Sequence, residues 1–426
     1  MTKTSTFTAQ DDAFLRDFHR LSEFGSTAGG GVDRQAASVA DGEQRAWLKA
    51  QLEGQGFDVF YDRIGNQFAT LTLVPGQSYV LVGSHLDSQP LAGRYDGAYG
   101  VVAAAHAAFR LAKDWSERKI TPKYNLAVVN WFNEEGSRFK PSMMGSSVFT
   151  GKLQLEDTLD ITDGNSIRVK DALDAIGCRT ATDAPKPAFY AEIHVEQGRV
   201  MEKNGVTIGL VDSNWAANKY EFVVLGEQSH TGSTVMEDRK DAMLGAALVI
   251  IAAREISDHF TKVPLHSSVG QVNVLPNSPV VVARKVNLLL DLRSADEEVL
   301  AEADQMLHAR IAEIEIRANV KIEMAASHSW PVTPYPVEGV ELARSIAASL
   351  DLKHANMATL AGHDSTNMKD IVPTVMLFVP SVNGIAHNER EYTLDEDIVA
   401  GVQMLTEVVQ QLCQGALLTP ASHYAA

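Results

Sequence analysis

The sequence predicts an α/β protein with a mixed sheet and a smaller inserted domain, on three observations. Short apolar runs alternate with helical segments up to about residue 212, which is typical of a sheet with parallel strands. Over 213–330 the order changes to β-α-β-β-α-β, an open-faced sandwich with its own apolar face. The α/β alternation then resumes. We therefore expect one domain formed by 1–212 and 331–426, and a second formed by 213–330.

The first domain is predicted to alternate short buried strands with helices. An apolar helical pattern near 14–24 precedes a Gly-rich run at 25–31. The predicted strands are 57–61, 79–82, 126–132, 189–193 and 374–379. The predicted helices are 41–54, 97–112, 340–350 and 395–413. Short apolar strands separated by helices favour a sheet with parallel members.

The inserted segment is predicted to form a sheet of its own. Its strands are predicted at 219–225, 269–274, 280–292 and 320–325, and its helices at 241–259 and 297–318. Such a unit has its own hydrophobic face, so it could fold as an insertion into the larger domain.

Composition excludes several classes of protein. Of the 426 residues, 45% are hydrophobic and 21% charged, which is ordinary for a globular chain. The net charge of −17 disfavours a nucleic-acid partner. No apolar run is long enough to span a membrane, and the polar start, 1–11, is unlike a secretion signal. Only Cys178 and Cys413 occur, so we expect no disulfide framework and a reducing, cytoplasmic setting.

Ionisable side chains collect where the predicted strands end, which is where open α/β sheets bind their ligands. His85 follows the strand at 79–82, and Glu135 follows the strand at 126–132. Imidazole nitrogens and carboxylate oxygens suit borderline divalent cations. The candidate metal ligands are His85, Asp96, Glu135, His194 and His387.

Their spacing suggests roles for three carboxylates. Asp96 could bridge two cations, since a shared carboxylate is the usual way to hold two metals about 3.5 to 4 Å apart. Asp87 would accept the second ring N–H of His85 and fix its tautomer. Glu134 would stay free of metal and take a proton from the attacking water. Taken singly, each motif has a plainer interpretation: a structural His, a helix start at Glu134 and Glu135, or a turn at Asp96. Their coincidence at four strand ends favours the metal site.

Seven short motifs together resemble one family. They are Gly83-Ser84-His85-Leu86-Asp87-Ser88, Arg94-Tyr95-Asp96-Gly97, Asn133-Glu134-Glu135-Gly136-Ser137-Arg138-Phe139, His194-Val195-Glu196-Gln197-Gly198, Ser229-His230-Thr231-Gly232, Ala361-Gly362-His363-Asp364 and Gly384-Ile385-Ala386-His387-Asn388. In this order they resemble the N-carbamoyl-L-amino-acid hydrolase, β-ureidopropionase and allantoate amidohydrolase group. That group belongs to the clan of two-metal aminopeptidases and aminoacylases.

The resemblance implies a catalytic domain with two zinc or manganese ions, cobalt or nickel being possible, and an inserted lid and dimerisation domain. One ion would be held by His85, Asp96 and His194, and the other by Asp96, Glu135 and His387. Glu134 corresponds to the general base and acid. The protein would therefore be a homodimer acting on a small ureido or amide substrate that carries a carboxylate.

The resemblance also implies substrate contacts. His230 would polarise the substrate carbonyl, Gln197 would orient the substrate, and Arg293 would hold its carboxylate as a bidentate fork. Asn277 and His363 are further candidates, although a helix cap would equally explain His363. The family's Asn of the Asn-Val-(Ile or Val)-Pro-Gly motif is replaced here by Val280.

The predicted function is metal-dependent hydrolysis of a linear C–N bond in an N-carbamoyl amino acid or related ureido acid, releasing ammonia and carbon dioxide. A two-metal exopeptidase or an N-acyl-amino-acid hydrolase is the nearest alternative, because it would use the same ligands. A binding protein that has kept the fold without catalysis is the more distant one.

Overall fold

The computed structural model describes residues 7–417, and they form two compact units. The large unit comprises the chain up to Asp212, Tyr335–Met357 and the part from Ala361 onward. The small unit comprises Ser213–Pro334 and Ala358–Leu360. The segment 331–334, predicted to belong to the first domain, clusters with the small unit, as does Ala358–Leu360. Residues 1–6 and 418–426 of the predicted first domain lie outside the described part.

Strands and helices follow one another along the chain in this order. The strands are β1 (Asp58–Tyr61), β2 (Gln67–Leu71), β3 (Tyr79–His85), β4 (Asn125–Trp131), β5 (Pro187–Val195), β6 (Ile208–Asn214), β7 (Ala216–Leu225), β8 (Ser229–His230), β9 (Leu265–Leu275), β10 (Val281–Val282), β11 (Lys285–Ser294), β12 (Lys321–Trp330), β13 (His354–Thr359) and β14 (Thr374–Val379). The helices are α1 (Ala9–Leu21), α2 (Val39–Gly54), α3 (Ala98–Arg118), α4 (Met144–Phe149), α5 (Leu155–Leu159), α6 (Val169–Ala175), α7 (Val200–Asn204), α8 (Ala242–His259), α9 (Glu297–Ala318), α10 (Val337–Ser349), α11 (Asp364–Met368) and α12 (Asp395–Cys413).

An eight-stranded mixed sheet forms the centre of the large unit, in the order β1-β2-β4-β3-β5-β14-β6-β13. Its middle strands β4, β3, β5 and β14 run parallel, whereas β1 pairs antiparallel with β2, β2 with β4, and β6 with β14. Every residue of β4 and of β14 is buried. Continuous apolar runs are typical of strands covered on both faces. The predicted α/β class with a mixed sheet is confirmed, and the parallel strands bring their carboxyl ends to one edge.

Helix α3 packs directly against this sheet because its sequence is rich in alanine. It contacts β3, β4 and β5, and it also contacts α12, which packs on β3, β5 and β14. Small side chains on its inner face let the helix backbone approach the strands closely, and Tyr99 donates a hydrogen bond from its hydroxyl to the Ile398 carbonyl at 3.1 Å. The helix begins at Ala98 with Gly97 as its N-cap, so this packing fixes the position of Asp96 just before the cap.

The small unit contains a four-stranded antiparallel sheet in the order β12-β7-β11-β9. Burial alternates along β7 and β11, as expected when one face packs on helices and the other stays open. Helices α8 and α9 cover the packed face. The predicted strand over 280–292 is wrong as a single element. It divides into β10, which pairs with β8, and β11, and Arg284 between them donates its backbone N–H to the Leu275 carbonyl.

Sequence patterns missed β2, β6 and β13, which lie at or next to the edges of the large sheet, and the two-residue strand β8 of the small unit. Across residues 7–417, the helices are all too short or too polar to cross a bilayer.

A buried ion pair anchors the start of α2. Arg45 donates from Nε to both carboxylate oxygens of Asp41 at 2.9 Å, and from Nη1 to the Gly65 carbonyl at 2.9 Å. Both side chains are fully buried. Removing one partner would leave an uncompensated buried charge.

We therefore expect Asp41→Asn, which conserves volume, to lower the free energy of unfolding by about 3 to 5 kcal/mol. The matched control is Asp258→Asn, which removes the carboxylate from an exposed i,i+4 pair with Arg254 and should leave stability unchanged. Chemical denaturation of the full chain measures both. Equal unfolding midpoints for the two variants would contradict a structural role for the buried pair.

Candidate metal centre

The parallel strands deliver the predicted ligands to one edge of the large sheet. His85 ends β3, and His194 is the second-last residue of β5. Glu135 lies in the loop after β4, and His387 lies in the loop after β14. Asp96 precedes α3. The structure therefore brings all five candidate ligands together.

These five side chains form two groups that share Asp96. One group is His85, Asp96 and His194, and the other is Asp96, Glu135 and His387; within each, the donor atoms lie within 4.8 Å of one another. The two Asp96 oxygens divide between the groups. Oδ1 lies 3.0 Å from His194 Nε2 and 3.6 Å from His85 Nε2. Oδ2 lies 3.1 Å from His387 Nε2.

The chemistry of the first group fits a cation. The Nδ1 atoms of His85 and His194 lie 3.0 and 2.9 Å from backbone carbonyls, which assigns the ring proton to Nδ1 and leaves Nε2 as a lone pair. His85 Nε2 is buried and has no hydrogen-bond partner within the described chain. His194 Nε2 accepts a hydrogen bond from the Gly97 N–H at 2.9 Å, which a bound cation would replace. Buried nitrogens without a hydrogen-bond partner are rare, and a cation bound to this nitrogen and the neighbouring carboxylates would explain it.

The second group is more open than the first. His387 Nε2 lies 3.3 Å from Glu135 Oε2, and the His387 side chain is 47% exposed, whereas that of Glu135 is 4% exposed. Gln89 donates to Glu135 from its backbone N–H and from its side-chain amide, at 3.2 and 2.9 Å. An accessible cation position would leave room for water and substrate.

Asp87 holds the loop that carries the two glutamates. Its two oxygens accept the backbone N–H groups of Glu134 and Glu135 at 3.1 and 3.2 Å. The carboxylate lies 3.7 Å from His85 Nδ1, and it is the Asp87 backbone carbonyl that accepts the ring N–H. The predicted hydrogen bond to the carboxylate is therefore wrong in detail, because the glutamate loop occupies those oxygens.

Glu134 belongs to neither ligand group, yet it lies beside them. Its Oε2 is 3.5 Å from His85 Nε2, and the residue is 7% exposed. Burial raises the pKa of Glu134 well above its usual range, the nearby His85 lowers it, and the carboxylates of Asp364 and Glu135 raise it further. A carboxylate with such an environment is suited to accepting and returning a proton.

Two further predicted residues lie against the ligands. Gln197 donates from its side-chain amide to Asp96 Oδ2 at 2.7 Å, so in this structure it orients Asp96. The His363 ring lies 4.5 Å from the His194 ring, and its buried Nε2 has no partner in the part of the chain described. Burial lowers the pKa of His363 well below its usual range, so this imidazole is neutral.

The other predicted substrate residues belong to the small unit. His230 is exposed, and its Nδ1 accepts the backbone N–H groups of Gly232 and Ser233 at 3.0 and 3.2 Å. The remaining ring nitrogen, Nε2, then carries the proton and can donate. Asn277 lies exposed in the loop between β9 and β10. Val280 is 60% exposed, and its carbonyl accepts the N–H of Thr231, next to His230.

Arg293 is already held by its own unit. Its Nε and Nη2 donate to the two oxygens of Asp291 at 3.0 and 2.8 Å, and its Nη1 donates to the Leu360 carbonyl at 2.7 Å. A guanidinium has five N–H donors, so one hydrogen remains on each terminal nitrogen. These two hydrogens remain available to a second acceptor such as a carboxylate.

Sequence reasoning missed two residues that contact the ligand loops. Gln89 follows Asp87 by two positions and hydrogen-bonds Glu135. Glu391 accepts the backbone N–H groups of Tyr95 and Asp96. The only available signal was that each stands near a predicted ligand in the sequence.

An α/β sheet whose strand ends present two groups of imidazoles and carboxylates, with a further buried carboxylate beside them, is the arrangement expected of a metal-dependent hydrolase. Residues 81–411 match peptidase family M20/M25/M40. The chain belongs to this family of metal-dependent hydrolases.

Relatives with known names agree with the predicted family. A putative hydrolase of Mycolicibacterium smegmatis is 57% identical over 416 residues, which is 96% of this chain and 95% of that protein. The N-carbamoyl-L-amino-acid amidohydrolase of Rhizobium meliloti is 33% identical, covering 92% of this chain and 94% of that protein. The crystal structure of an amidase of the hydantoinase/carbamoylase family from Burkholderia vietnamiensis superposes with a TM-score of 0.87 at 31% identity, covering 95% and 98% of the two chains. The predicted family is thereby confirmed.

Proposed function

We propose that this protein hydrolyses the ureido C–N bond of an N-carbamoyl amino acid or a related ureido acid. One observation carries the proposal: two three-donor groups share Asp96, and Glu134 stands beside them without belonging to either. The amidohydrolase names among its relatives support the substrate class.

The proposed cofactors are two divalent cations per subunit, one held by His85, Asp96 and His194 and the other by Asp96, Glu135 and His387. Mixed nitrogen and oxygen ligands favour zinc or manganese, and also accept cobalt or nickel. When bound, such ions would supply a Lewis acid for the substrate carbonyl and lower the pKa of the attacking water towards neutrality.

Side chains of the protein would transfer the protons and stabilise the oxyanion. Glu134 accepts a proton from the attacking water while the water oxygen bonds to the ureido carbon. The tetrahedral oxyanion receives a hydrogen bond from His230 Nε2, and Glu134 returns its proton to the departing nitrogen as the C–N bond breaks. The free amino acid departs, and the carbamate that remains decomposes to ammonia and carbon dioxide. Gln197 and Asp87 hold Asp96 and the glutamate loop in place during this sequence.

Glu134→Gln should lower kcat by about 10²- to 10⁴-fold, because the amide cannot accept the proton of the water. Metal content measured by plasma mass spectrometry should stay at the wild-type value, since Glu134 lies outside both ligand groups. Turnover near the wild-type rate with metals bound would contradict the role of Glu134 as the base.

The substrate carboxylate is proposed to bind Arg293. The two hydrogens left on its terminal nitrogens can form a bidentate pair, while Asp291 fixes the guanidinium plane. Val280 supplies no donor where the resembling family has Asn, so the carboxylate would rely on Arg293 alone. Asn277 and His363 remain candidates for substrate contact.

A panel of metal-reconstituted assays tests the substrate class. Carbamoyl amino acids and allantoate should be hydrolysed with kcat/KM at least about tenfold above N-acetyl amino acids and dipeptides, a difference of roughly 1.4 kcal/mol in transition-state binding. Ammonia release is the measurement, and amino-group release reports the acyl and peptide substrates. Chelator-treated enzyme is the control and should be inactive on every member.

Preference for dipeptides or acetyl amino acids would instead establish the alternative, a two-metal exopeptidase or N-acyl-amino-acid hydrolase. Absence of both activity and bound metal would favour a non-catalytic binding protein.

We also propose that the small unit acts as a lid and dimerisation domain. Strand β9 is an edge strand of its sheet, and Val272 and Leu275 on it are exposed. Helix α8, which packs against β9, exposes Leu244 and Ile251. An edge strand that exposes apolar side chains beside a helix that also exposes them is normally covered by a partner. A second copy would cover it with isologous symmetry, and His230 would then reach the metal centre of the other subunit.

Mixed dimers test both parts of this proposal. Glu134→Gln and His230→Ala homodimers should each be nearly inactive. Subunits exchanged between the two should recover about one quarter of wild-type activity, because half the dimers are mixed and each mixed dimer has one intact site. Monomers in sedimentation would contradict the dimer, and dimers without recovery would show that His230 acts within its own subunit.

The proposal includes a cytoplasmic location, which is supported by the state of the two cysteines. Cys178 and Cys413 are both free and buried. Their thiols therefore suit a reducing compartment.

A further inference from the structure

The loop that carries His387 also carries a buried carboxylate that reaches Asp96. Oε1 of Glu391 accepts the backbone N–H of Tyr95 at 3.0 Å and that of Asp96 at 2.9 Å. Glu391 is 4% exposed. The loop after β14 thus holds, through one side chain, the main chain of the residue shared by the two ligand groups.

His387 and Glu391 belong to one closed loop. The Val382 N–H donates to the Tyr392 carbonyl at 2.8 Å, which joins the two ends of the loop, and the Glu391 N–H donates to the Asn388 carbonyl at 2.9 Å. His387 has a left-handed backbone, with φ +52°. The hydrogen-bonded loop joins the two residues, so a displacement of Glu391 would shift the backbone that carries His387.

The contact is closely packed on the Asp96 side as well. A Cβ atom at Gly93 would overlap the Glu391 side chain, so glycine at this position leaves room for the carboxylate. Three contacts hold Asp96 in place. Glu391 holds its backbone, His194 contacts Oδ1, and Gln197 donates to Oδ2.

Glu389 provides an internal comparison on the same loop. Its carboxylate accepts a hydrogen bond from the Thr27 hydroxyl, and its side chain fills the space beside Gly29. It ties the loop to the Gly-rich segment at 25–31, which carries no ligand of either group. Comparing substitutions of Glu389 and Glu391 therefore distinguishes the effect of anchoring the loop from the effect of contacting Asp96.

We propose that Glu391 is a positioning residue that sets the separation of His387 from Asp96 and thereby the affinity of the second cation, the one held by Asp96, Glu135 and His387. This inference rests on the proposed two-cation centre. The group formed by His85, Asp96 and His194 depends less on Glu391, because His194 and Gln197 still orient the Asp96 side chain. Glu391 acts through Oε1 as a hydrogen-bond acceptor for the two backbone N–H groups. The side-chain carbonyl oxygen of a glutamine would provide the same acceptor.

Metal titration of four variants tests the inference. Bound metal is first removed with a chelator, and each protein is then titrated with Mn²⁺ or Zn²⁺. The proteins compared are wild type, Glu391→Leu, Glu391→Gln, Glu391→Asp and Glu389→Leu. Calorimetry gives the two dissociation constants, and plasma mass spectrometry gives the ions retained per subunit after gel filtration. Thermal unfolding of each metal-free chain reports folding independently of metal.

Glu391→Leu should weaken the second cation by about 10- to 100-fold, the usual effect of losing a partner that orients a ligand, and leave the first within threefold. Glu391→Gln should restore wild-type binding. Glu391→Asp, whose shorter side chain cannot reach both N–H groups, should bind the second cation with an affinity between those of the leucine and glutamine variants. It keeps the test valid if the leucine variant does not fold. Glu389→Leu should bind both ions as wild type does.

Wild-type affinity for both ions in Glu391→Leu and Glu391→Asp would overturn the inference. So would an equal loss in Glu389→Leu, which would mean general loosening of the loop, or a loss in Glu391→Gln, which would mean that charge is the cause. Wild type that binds fewer than two ions would instead overturn the two-cation centre itself.

Discussion

The site depends on the placement of one carboxylate, Asp96, between two sets of imidazoles. Its Oδ1 faces His85 and His194, and its Oδ2 faces His387. Bringing five polar side chains this close removes much of their hydration, and the two carboxylates, Asp96 and Glu135, repel each other. Cations between them would offset that cost, which is why the arrangement is understandable as a metal centre and hard to explain as a structural cluster.

The fold supplies this arrangement through parallel strands and hydrogen-bonded loops. Parallel strands carry His85 and His194 to one edge, and the alanine-rich face of α3 lets Asp96 approach them. Loops contribute the remaining ligands, and buried carboxylates secure those loops by accepting consecutive backbone N–H groups. Asp87 does so for Glu134 and Glu135, and Glu391 does so for Tyr95 and Asp96. Two carboxylates therefore replace the regular hydrogen bonding that strands provide elsewhere.

Sequence patterns predicted the parts of the site that follow from strand periodicity. His85 and His194 could be placed because buried strands end there, and the β-α-β-β-α-β order of the inserted segment was visible in its apolar pattern. Glu391 and Gln89 could not be predicted, since their partners are backbone groups distant in sequence. The break between β10 and β11 was not predicted either. Arg284 and Lys285 interrupt the apolar run there, but the pairing of Val281 and Val282 with β8, which separates the two strands, involves residues about fifty positions away. Roles implied by the family resemblance, such as that of Arg293, needed the structure to show that Asp291 already holds the guanidinium.

Anomalous diffraction from crystals of the zinc- or manganese-loaded protein tests the central claim most directly. The account predicts two peaks per subunit about 3.5 to 4 Å apart, with Asp96 contacting both, His85 and His194 contacting one, and Glu135 and His387 contacting the other. A single peak, or two peaks that do not share Asp96, would contradict it.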